Sequence, residues 1–535
     1  MNKTYDIAVV GSGFGGSLLA MTAHQLGRSV ILLEKGQHPR FAIGESTTPL
    51  SNILLEDLAA RYELPALAPL SKWGSWQKTY PQVTCGLKRG FTFYHHALGE
   101  APSADPEEHP RQLLVAASPH DGIADTHWYR ADVDHFFVQH AQRIGVEYLD
   151  QVALQTVTES ETDISLFGRR KNDEISVRAR FVVDATGPRG FLHHALGLTE
   201  LPLPDFPPTQ ALFSHFNDVG DIAGQVSAAN RTGCSDAADT ACPPYPVDDA
   251  AVHHVFDGGW IWVLKFNNGV TSAGVAATGK LAGRLILSEG APAWQRLMDL
   301  LPTLKAQFAH SQPTRPFTYT PRASFRSAAI AGRRWALLPS AAGFVDPLLS
   351  TGFPLTLLGV ARLAEIIRTD WDSACFSASL QTYASKTDNE LLAAARLIGA
   401  LYSTMDRFPI FASLSMLYFA AASFSESARR LGKAHLAPSF LLHDEPRFGP
   451  ATRHCLEQAR RASTASEIRE VEQQIAQVIE PINIAGLCNP SRQNWYPVDA
   501  HDLLAGAHKL ESTEEEINQL LARCGFWRIA NSAHQ

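Results

Sequence analysis

The chain has 535 residues, of which 45% are hydrophobic and 19% are charged. This apolar fraction supports a large folded core and excludes a disordered or fibrous protein. The 46 Lys and Arg and 54 Asp and Glu give a formal net charge of −8, which argues against nucleic acid as the main partner. The seven cysteines show no metal-binding spacing and the N-terminus shows no secretion signal, so we expect a cytoplasmic protein without a metal site.

The first forty residues predict a strand, a glycine-rich turn, a helix and a second strand. An apolar run over residues 7–10 stops at Gly11, and Gly13 and Gly16 complete a GxGxxG pattern. In such a turn the first glycine permits the tight bend, the second lets a pyrophosphate approach and the third allows close helix–strand packing. Glu34 ends the second strand, where its carboxylate can accept the ribose hydroxyls of a dinucleotide. The alternative is a glycine-rich turn that binds nothing.

Later segments favour FAD over NAD as the dinucleotide. Arg130 opens a helical pattern and can reach a diphosphate, although a surface arginine would give the same pattern. Gly187 lies in a Gly-Pro turn directly after an apolar strand, and such a turn has little side-chain bulk beside a cofactor. Asp346 lies in a glycine-containing loop that opens another helix, whose N–H groups can face an anion or the flavin ring. Elements this far apart in sequence predict an FAD site in an interrupted Rossmann domain.

The chain resembles the flavin-dependent halogenases of the tryptophan-halogenase superfamily, most closely the monodechloroaminopyrrolnitrin 3-halogenase branch. The matching stretches are residues 38–46, 86–89, 253–254, 258–262, 266–268 and 346–350. The resemblance implies an α/β fold with an FAD-binding, Rossmann-like domain of the interrupted GR2 type, a sheet-based substrate layer and a helical C-terminal region. We expect residues 1–370 to form the FAD-binding and substrate-facing core, and residues 371–535 to cover the substrate pocket.

The implied reaction uses FAD as FADH2, oxygen and a halide ion, either chloride or bromide. In this family a flavin hydroperoxide oxidises the halide to hypohalous acid, which then reaches a separate substrate site. The implied substrate is a small electron-rich aromatic such as a phenol or a pyrrole, free or bound to a carrier protein. A separate flavin reductase is expected as a partner, because the sequence shows no second nucleotide fingerprint. Nucleic-acid binding and membrane insertion are not expected.

The resemblance also assigns site residues. Lys88 matches the family lysine that directs the halogen, and Gly44 and Ser46 lie in the strap that covers the flavin. The halide is expected against the backbone N–H groups of Thr351 and Gly352. If Lys88 lies in a dry pocket, its pKa is depressed. The alternative is that Lys88 is a solvated lysine at a strand edge.

One departure from the family pattern keeps other functions open. Trp260 and Trp262 begin the WxWxIP signature and lie on one face of a strand, but Leu264 and Lys265 replace its Ile-Pro. An FAD-dependent monooxygenase or oxidoreductase without halogenation is therefore the alternative function. A flavin-bearing binding protein without turnover is a third.

Two further segments are distinctive. Residues 408–424 carry no charge, and we expect a buried helical hairpin there rather than a membrane span, with Met416, Tyr418 and Phe419 as pocket lining. Residues 217–249 are rich in Ala, Asp, Gly and Pro and predict a mobile loop or lid. Cys234 and Cys242 lie inside it, and we expect free thiols there, with a disulfide as the alternative.

Overall fold

A computed structural model describes residues 3–100, 111–222 and 242–527. The strands are Thr4–Val10 (β1), Val30–Leu33 (β2), Cys85–Lys88 (β3), Gly90–His95 (β4), Gln112–Ala116 (β5), Asp125–Trp128 (β6), Glu147–Leu149 (β7), Val152–Glu159 (β8), Ile164–Arg170 (β9), Asp173–Asp184 (β10), Thr209–Asn217 (β11), Ala251–Phe256 (β12), Gly259–Lys265 (β13), Thr271–Thr278 (β14), Gln312–Pro313 (β15), Thr318–Thr320 (β16), Phe325–Arg326 (β17), Trp335–Leu337 (β18), Gly343–Phe344 (β19) and Trp495–Tyr496 (β20). The helices are Phe14–Gln25 (α1), Pro49–Arg61 (α2), Trp73–Thr79 (α3), Arg130–Arg143 (α4), Phe191–Ala195 (α5), Gly279–Leu285 (α6), Ala291–Leu300 (α7), Pro302–Gln307 (α8), Pro339–Ala342 (α9), Gly352–Thr369 (α10), Phe376–Tyr402 (α11), Phe408–Arg430 (α12), Phe448–Arg461 (α13), Ala465–Ile479 (α14), Ala500–Ala505 (α15) and Glu514–Cys524 (α16).

The first sheet has the strand order β7-β2-β1-β10-β9-β8, with β18 also paired to β10. Its central strands are parallel and buried, which explains why they read as short continuous apolar runs in the sequence. Val10 pairs with both Leu33 and Asp184, and Asp184 pairs with Leu337, so four strands end at one edge. In open parallel sheets ligands bind at that carboxyl edge. The predicted α/β fold with an interrupted Rossmann domain is therefore confirmed.

The second sheet supplies the layer that faces this domain. Its strand order is β15-β11-β14-β13-β12-β4-β5-β20, with β16 also paired to β11. The alternation along β13 divides its side chains between two cores. Trp260 and Trp262 pack into the large core shared with the first sheet and the C-terminal helices, whereas Ile261 and Val263 pack against α6, α7 and α8. The prediction that both tryptophans share one face is confirmed.

A short antiparallel ladder of β3 and β6 lies between the two sheets. It pairs Cys85 with Trp128 and Lys88 with Asp125, and an isolated bridge joins Ser46 to His127 of β6. Because β6 leads directly into α4 of the dinucleotide domain and β3 leads into β4 of the second sheet, the ladder connects the two halves of the site.

The C-terminal region is mainly helical, as expected. The residue spans 348–369 and 408–430 are long and apolar enough to cross a bilayer, but 72% and 78% of their apolar windows are buried inside the protein. Both therefore pack as core helices of this fold, and residues 408–424 belong to one continuous helix, α12, rather than to a hairpin.

The loop predicted over residues 217–249 falls largely outside the described residues, which stop at 222 and resume at 242. Cys242 is disulfide-bonded, so the expectation of a free thiol there is wrong. Cys234 lies outside the described part of the chain.

Candidate functional site

The glycine-rich turn has the geometry of a dinucleotide cradle. Gly11 has a φ of +99°, which favours glycine, and a Cβ on Gly16 would collide with the carbonyl oxygen of Gly11. A Cβ on Gly13 would lie 3.3 Å from the guanidinium of Arg130 and 3.9 Å from that of Arg40. The turn therefore opens towards two cations, and α1 begins directly after Gly13.

Arg130 is held in place from two sides. Its guanidinium donates to both carboxylate oxygens of Asp134, at 2.9 and 2.7 Å, and to the carbonyl oxygen of Gly44 at 2.9 Å. Asp134 also accepts the backbone N–H of Phe14 in the first turn of α1. The nearby Arg40 has a buried Nε without a hydrogen-bond partner among the described residues. Two fixed guanidinium groups, one with a spare donor, fit the diphosphate of FAD.

Glu34 lies where the sequence predicted a ribose ligand. One carboxylate oxygen accepts the N–H of Gly36, and the other accepts the N–H and hydroxyl of Ser12 and the guanidinium of Arg40. Although burial opposes the charge, Arg40 and these donors keep the pKa of Glu34 below its usual value. Glu34 is therefore an ionised acceptor at the edge of the cradle.

Two predicted glycines shape neighbouring backbone. Gly187 has a φ of +85° in a turn that Asp184 fixes by accepting the N–H and hydroxyl of Thr186. Gly44 has a φ of +92° and offers its carbonyl oxygen to Arg130. Both positions favour glycine for conformational reasons.

The predicted halide loop bends sharply before α10. Leu349 and Ser350 both have positive φ values, of 63° and 54°, which are uncommon for residues with a Cβ. Thr351 is 2% exposed and caps the helix, whereas Gly352 begins the helix, and a Cβ at that position would meet no atom within 4 Å. The first amides of a helix have no carbonyl partner within it. The loop therefore places the first residues of α10 beside an open space, and halide binding by Thr351 and Gly352 stays a prediction.

Asp346 lies inside this loop, and its carboxylate is engaged on both oxygens. One oxygen accepts the indole N–H of Trp260 at 3.1 Å and the N–H of Leu348 at 3.0 Å, and the other accepts the hydroxyl of Tyr402 at 2.9 Å. Burial raises the pKa of Asp346 to about 7, against the opposing effect of these donors. These contacts make Asp346 a brace of the halide loop, while the direct flavin contact predicted for it stays a prediction.

Lys88 is fully buried, with 0% of the residue exposed. Its Nζ donates to Ser46 Oγ at 2.9 Å and to the carbonyl oxygen of Thr47 at 2.5 Å, and it lies 3.8 Å from the ring centroid of Phe91. Burial lowers the pKa of Lys88, and the charge of Asp125 opposes this shift. The amine is thus held dry against the predicted strap, and the alternative of a solvated edge lysine is excluded.

The neighbouring cations point elsewhere. Arg89 donates to Asp121 at 2.7 Å and to the carbonyl of Ser118, away from the Ser46–Thr47 backbone. Lys265, which replaces the family proline, pairs with Asp221 and lies 3.1 Å from Asp248. Lys265 is therefore an ion-paired lysine at the end of β13 and not a second amine beside Lys88.

A row of buried rings joins the halide loop to Lys88. Trp260, which donates to Asp346, lies 5.2 Å from His253, and His253 lies 5.8 Å from Phe91. Burial lowers the pKa of His253 to about 3, so its imidazole is neutral at physiological pH. The side chains between the two predicted sites are therefore uncharged and packed in contact.

A cavity of about 180 Å3 is lined by Phe91 and Asp125, while Lys88 is not among its lining residues. Its walls come from α2, β5, α12 and the C-terminal residues 484–526. Tyr418 and Phe419 line it as expected, whereas Met416 is buried in the core. Lys88 approaches this cavity through Phe91 and Asp125, its direct neighbours.

Sequence reasoning missed three residues that the fold brings to the site. Asp125 and Asn52 lie at the polar end of the cavity, and Tyr402 braces Asp346 from the end of α11. Asp125 opens the short strand Asp125–Trp128, whose mixed polar sequence gives no signal of a buried carboxylate. Asn52 and Tyr402 sit within ordinary helical patterns and carry no such signal.

Two family models match this chain. The family model described as tryptophan halogenase matches residues 124–409, more than half of the chain. The chain belongs to the tryptophan halogenase family. A second family model, described as an FAD binding domain, matches residues 6–85.

Similar proteins include several halogenases. Tetracycline 7-halogenase of Kitasatospora aureofaciens is 28% identical over 79% of this chain and 74% of its own length. The monodechloroaminopyrrolnitrin halogenase PrnC of Pseudomonas fluorescens is 30% identical over 68% of this chain, which spans 62% of that relative. The crystal structure of halogenase PltM with phloroglucinol and FAD has a TM-score of 0.78 at 23% identity, over 91% of this chain and 99% of that one. This last likeness shows the shared fold.

The protein is thus a flavin-dependent halogenase, an oxidoreductase that uses FAD and a halide. Its reaction is the chlorination or bromination of an aromatic or pyrrole substrate, and its relatives act in antibiotic and other secondary metabolism. The resemblance read from the sequence motifs is confirmed.

Proposed function

We propose that this halogenase chlorinates or brominates a compact electron-rich aromatic, a phenol or a pyrrole, by hypohalous acid that Lys88 directs. The observation that carries the proposal is the fully buried Lys88 amine, held between the strap residues Ser46 and Thr47 and the ring of Phe91, which also lines the neighbouring cavity. When bound and reduced, FAD supplies the power to activate oxygen and oxidise the halide.

The residues around the cradle account for cofactor binding in this proposal. Gly11, Gly13 and Gly16 leave room for the pyrophosphate, Arg130 meets its charge, and Glu34 accepts the ribose hydroxyls. Gly44 and Gly187 shape the surrounding backbone. Backbone amides of Thr351 and Gly352 hold the halide, because neutral donors without a nearby free carboxylate suit a weakly hydrated anion.

Lys88 acts through its lowered pKa. An amine with a lowered pKa is neutral in a larger fraction of molecules, so its lone pair can take the electrophilic halogen or its N–H can hydrogen-bond the oxidant. The Ser46 hydroxyl and the Thr47 carbonyl fix the position of Nζ, and burial keeps water from consuming the oxidant.

The remaining features of the proposal concern partners. A separate flavin reductase delivers FADH2, and the substrate is free or bound to a carrier protein; two relatives are named for halogenating carrier-bound pyrrole. The protein works in the cytoplasm. Residues 371–535 close the substrate pocket, as the C-terminal walls of the cavity suggest.

The test is product analysis by mass spectrometry. Purified protein with FAD, a flavin reductase, oxygen and either chloride or bromide is incubated with a panel of phenols and pyrroles. The proposal predicts products with the isotope pairs of chlorine or bromine. Products that gain one oxygen atom instead would support the alternative monooxygenase, and consumption of no substrate would favour a binding protein.

A further inference from the structure

The polar end of the cavity contains two buried oxygen atoms that have no hydrogen-bond partner in the described part of the chain. Asp125 is 5% exposed and Asn52 is 3% exposed, and both line the cavity. The Asn52 amide donates to one Asp125 oxygen at 2.6 Å, while the second Asp125 oxygen and the Asn52 oxygen accept nothing from the described residues. Leaving such acceptors unpaired in a buried site is unfavourable.

The surroundings explain why these two acceptors stay free. Asp125 pairs with Lys88 in the β3–β6 ladder, but the Lys88 amine donates to Ser46 and Thr47 instead. The other charged groups facing this end, Glu426 and Arg430, bind each other at 2.7 Å, and Arg430 also meets Glu56. The described side chains thus leave both oxygens to a ligand.

We propose that Asp125 and Asn52 form the polar anchor of the substrate cavity and accept the O–H or N–H of a compact aromatic. The rest of the wall is suited to an aromatic ring, since Phe91, Tyr418 and Phe419 surround the space next to these oxygens. Because Phe91 also lies 3.8 Å from the Lys88 amine, a ring held by this anchor packs against the residue that contacts Lys88.

This anchor predicts which substrates the site prefers. It favours phenols and pyrroles with a free donor over their O-methyl and N-methyl analogues, which would leave the oxygens unpaired. A site built to bind a donor in this way discriminates strongly against ligands that lack it. Burial raises the pKa of Asp125, and the nearby Lys88 charge opposes this shift and favours the ionised carboxylate that accepts a hydrogen bond.

The inference rests on the proposed function, since it names the substrate class of the same site. Its test is binding, measured by calorimetry on the FAD-loaded protein without oxygen, with resorcinol and its dimethyl ether as probes. We expect the wild type to bind resorcinol roughly tenfold or more tightly than the ether. Asp125→Leu and Asn52→Leu should each reduce this preference, and two separate variants guard against misfolding of either one.

Thr126→Val is the matched control, because Thr126 is the next residue of β6, is fully buried and has an unpartnered hydroxyl, but faces the opposite side of the strand. It should keep the preference for resorcinol. Equal affinity of the wild type for both probes, failure of resorcinol to bind, or a preference unchanged in both Leu variants would overturn the inference. Failure of the proposed function would show separately, as an absence of halogenated product from the whole substrate panel.

Discussion

The amine of Lys88 donates a 2.9 Å hydrogen bond to Ser46 Oγ, which joins the predicted halogen-directing residue to the predicted flavin strap. The strap and the lysine come from segments 42 residues apart. The strap backbone also contributes, because Thr47 accepts from the same amine. Movement of the strap and the position of the amine are therefore mechanically linked.

Replacement of Lys88 by alanine should abolish halogenated product and leave FAD binding intact, because the amine contacts the strap and not the dinucleotide cradle. Lys265→Ala is the matched control, since this lysine is ion-paired with Asp248 at the end of β13. Product yield by mass spectrometry and flavin content by absorbance would measure both effects. A fully active Lys88→Ala protein would reject the assigned role.

Gly13→Val should prevent FAD retention. The added side chain would project towards Arg130, whose guanidinium lies 3.3 Å from the position of a Cβ, and would fill the space of the pyrophosphate. Gly283→Val is a suitable control, because a Cβ there meets no atom within 4 Å. The ratio of flavin to protein after gel filtration measures the outcome, and normal flavin content in the Gly13 variant would refute this placement.

Tyr402→Phe should weaken halide use without loss of FAD. It removes the donor to one oxygen of Asp346 and leaves that buried oxygen unpaired, at a cost of about 1–3 kcal/mol. We expect a lower melting temperature and a higher KM for halide, because Asp346 braces the halide loop. Tyr80→Phe loses a hydrogen bond to the carbonyl of Ala66 far from the loop and should leave the halide KM unchanged. Equal halide KM values in both variants would contradict the bracing role.

Asp346 should also make stability depend on pH. Its folded pKa is raised to about 7 from an ordinary value of 3.8, so the folded state binds a proton that the unfolded state has lost between these values. The free energy of unfolding contributed here is highest below pH 3.8 and falls as the pH rises towards 7, by about 4 kcal/mol at 1.36 kcal/mol per pKa unit. The melting temperature should fall less steeply with rising pH for Asp346→Asn than for the wild type. An identical pH slope in the two proteins would show that the carboxyl titrates normally.

The sequence predicted the parts of the site that are built from residues close together in the chain. The GxGxxG turn, Glu34 and the loop before α10 each follow from local glycine placement and apolar runs, and the structure places the turn and Glu34 at one sheet edge. The family motifs located Lys88, and its burial confirmed the expected dry environment.

The parts that were missed depend on long-range pairing. Asp125 meets Lys88 only through the register of β3 and β6, and Tyr402 reaches Asp346 from a helix that begins 30 residues later. The far wall of the cavity comes from residues 484–526, whose helical pattern carries no sign of what they cover. Hydrophobic periodicity specifies which face of an element is buried, but not which element it is buried against.

The central claim is that Lys88 delivers an oxidant that is made elsewhere in the protein. The most direct measurement pairs the substrate assay with a dione trap for hypohalous acid, on wild-type protein and Lys88→Ala with equal flavin content. We expect the variant to release trappable oxidant at a rate close to the wild type while forming no halogenated product at a specific ring position. Wild-type product formation by the variant, or loss of trapped oxidant together with product, would contradict the account.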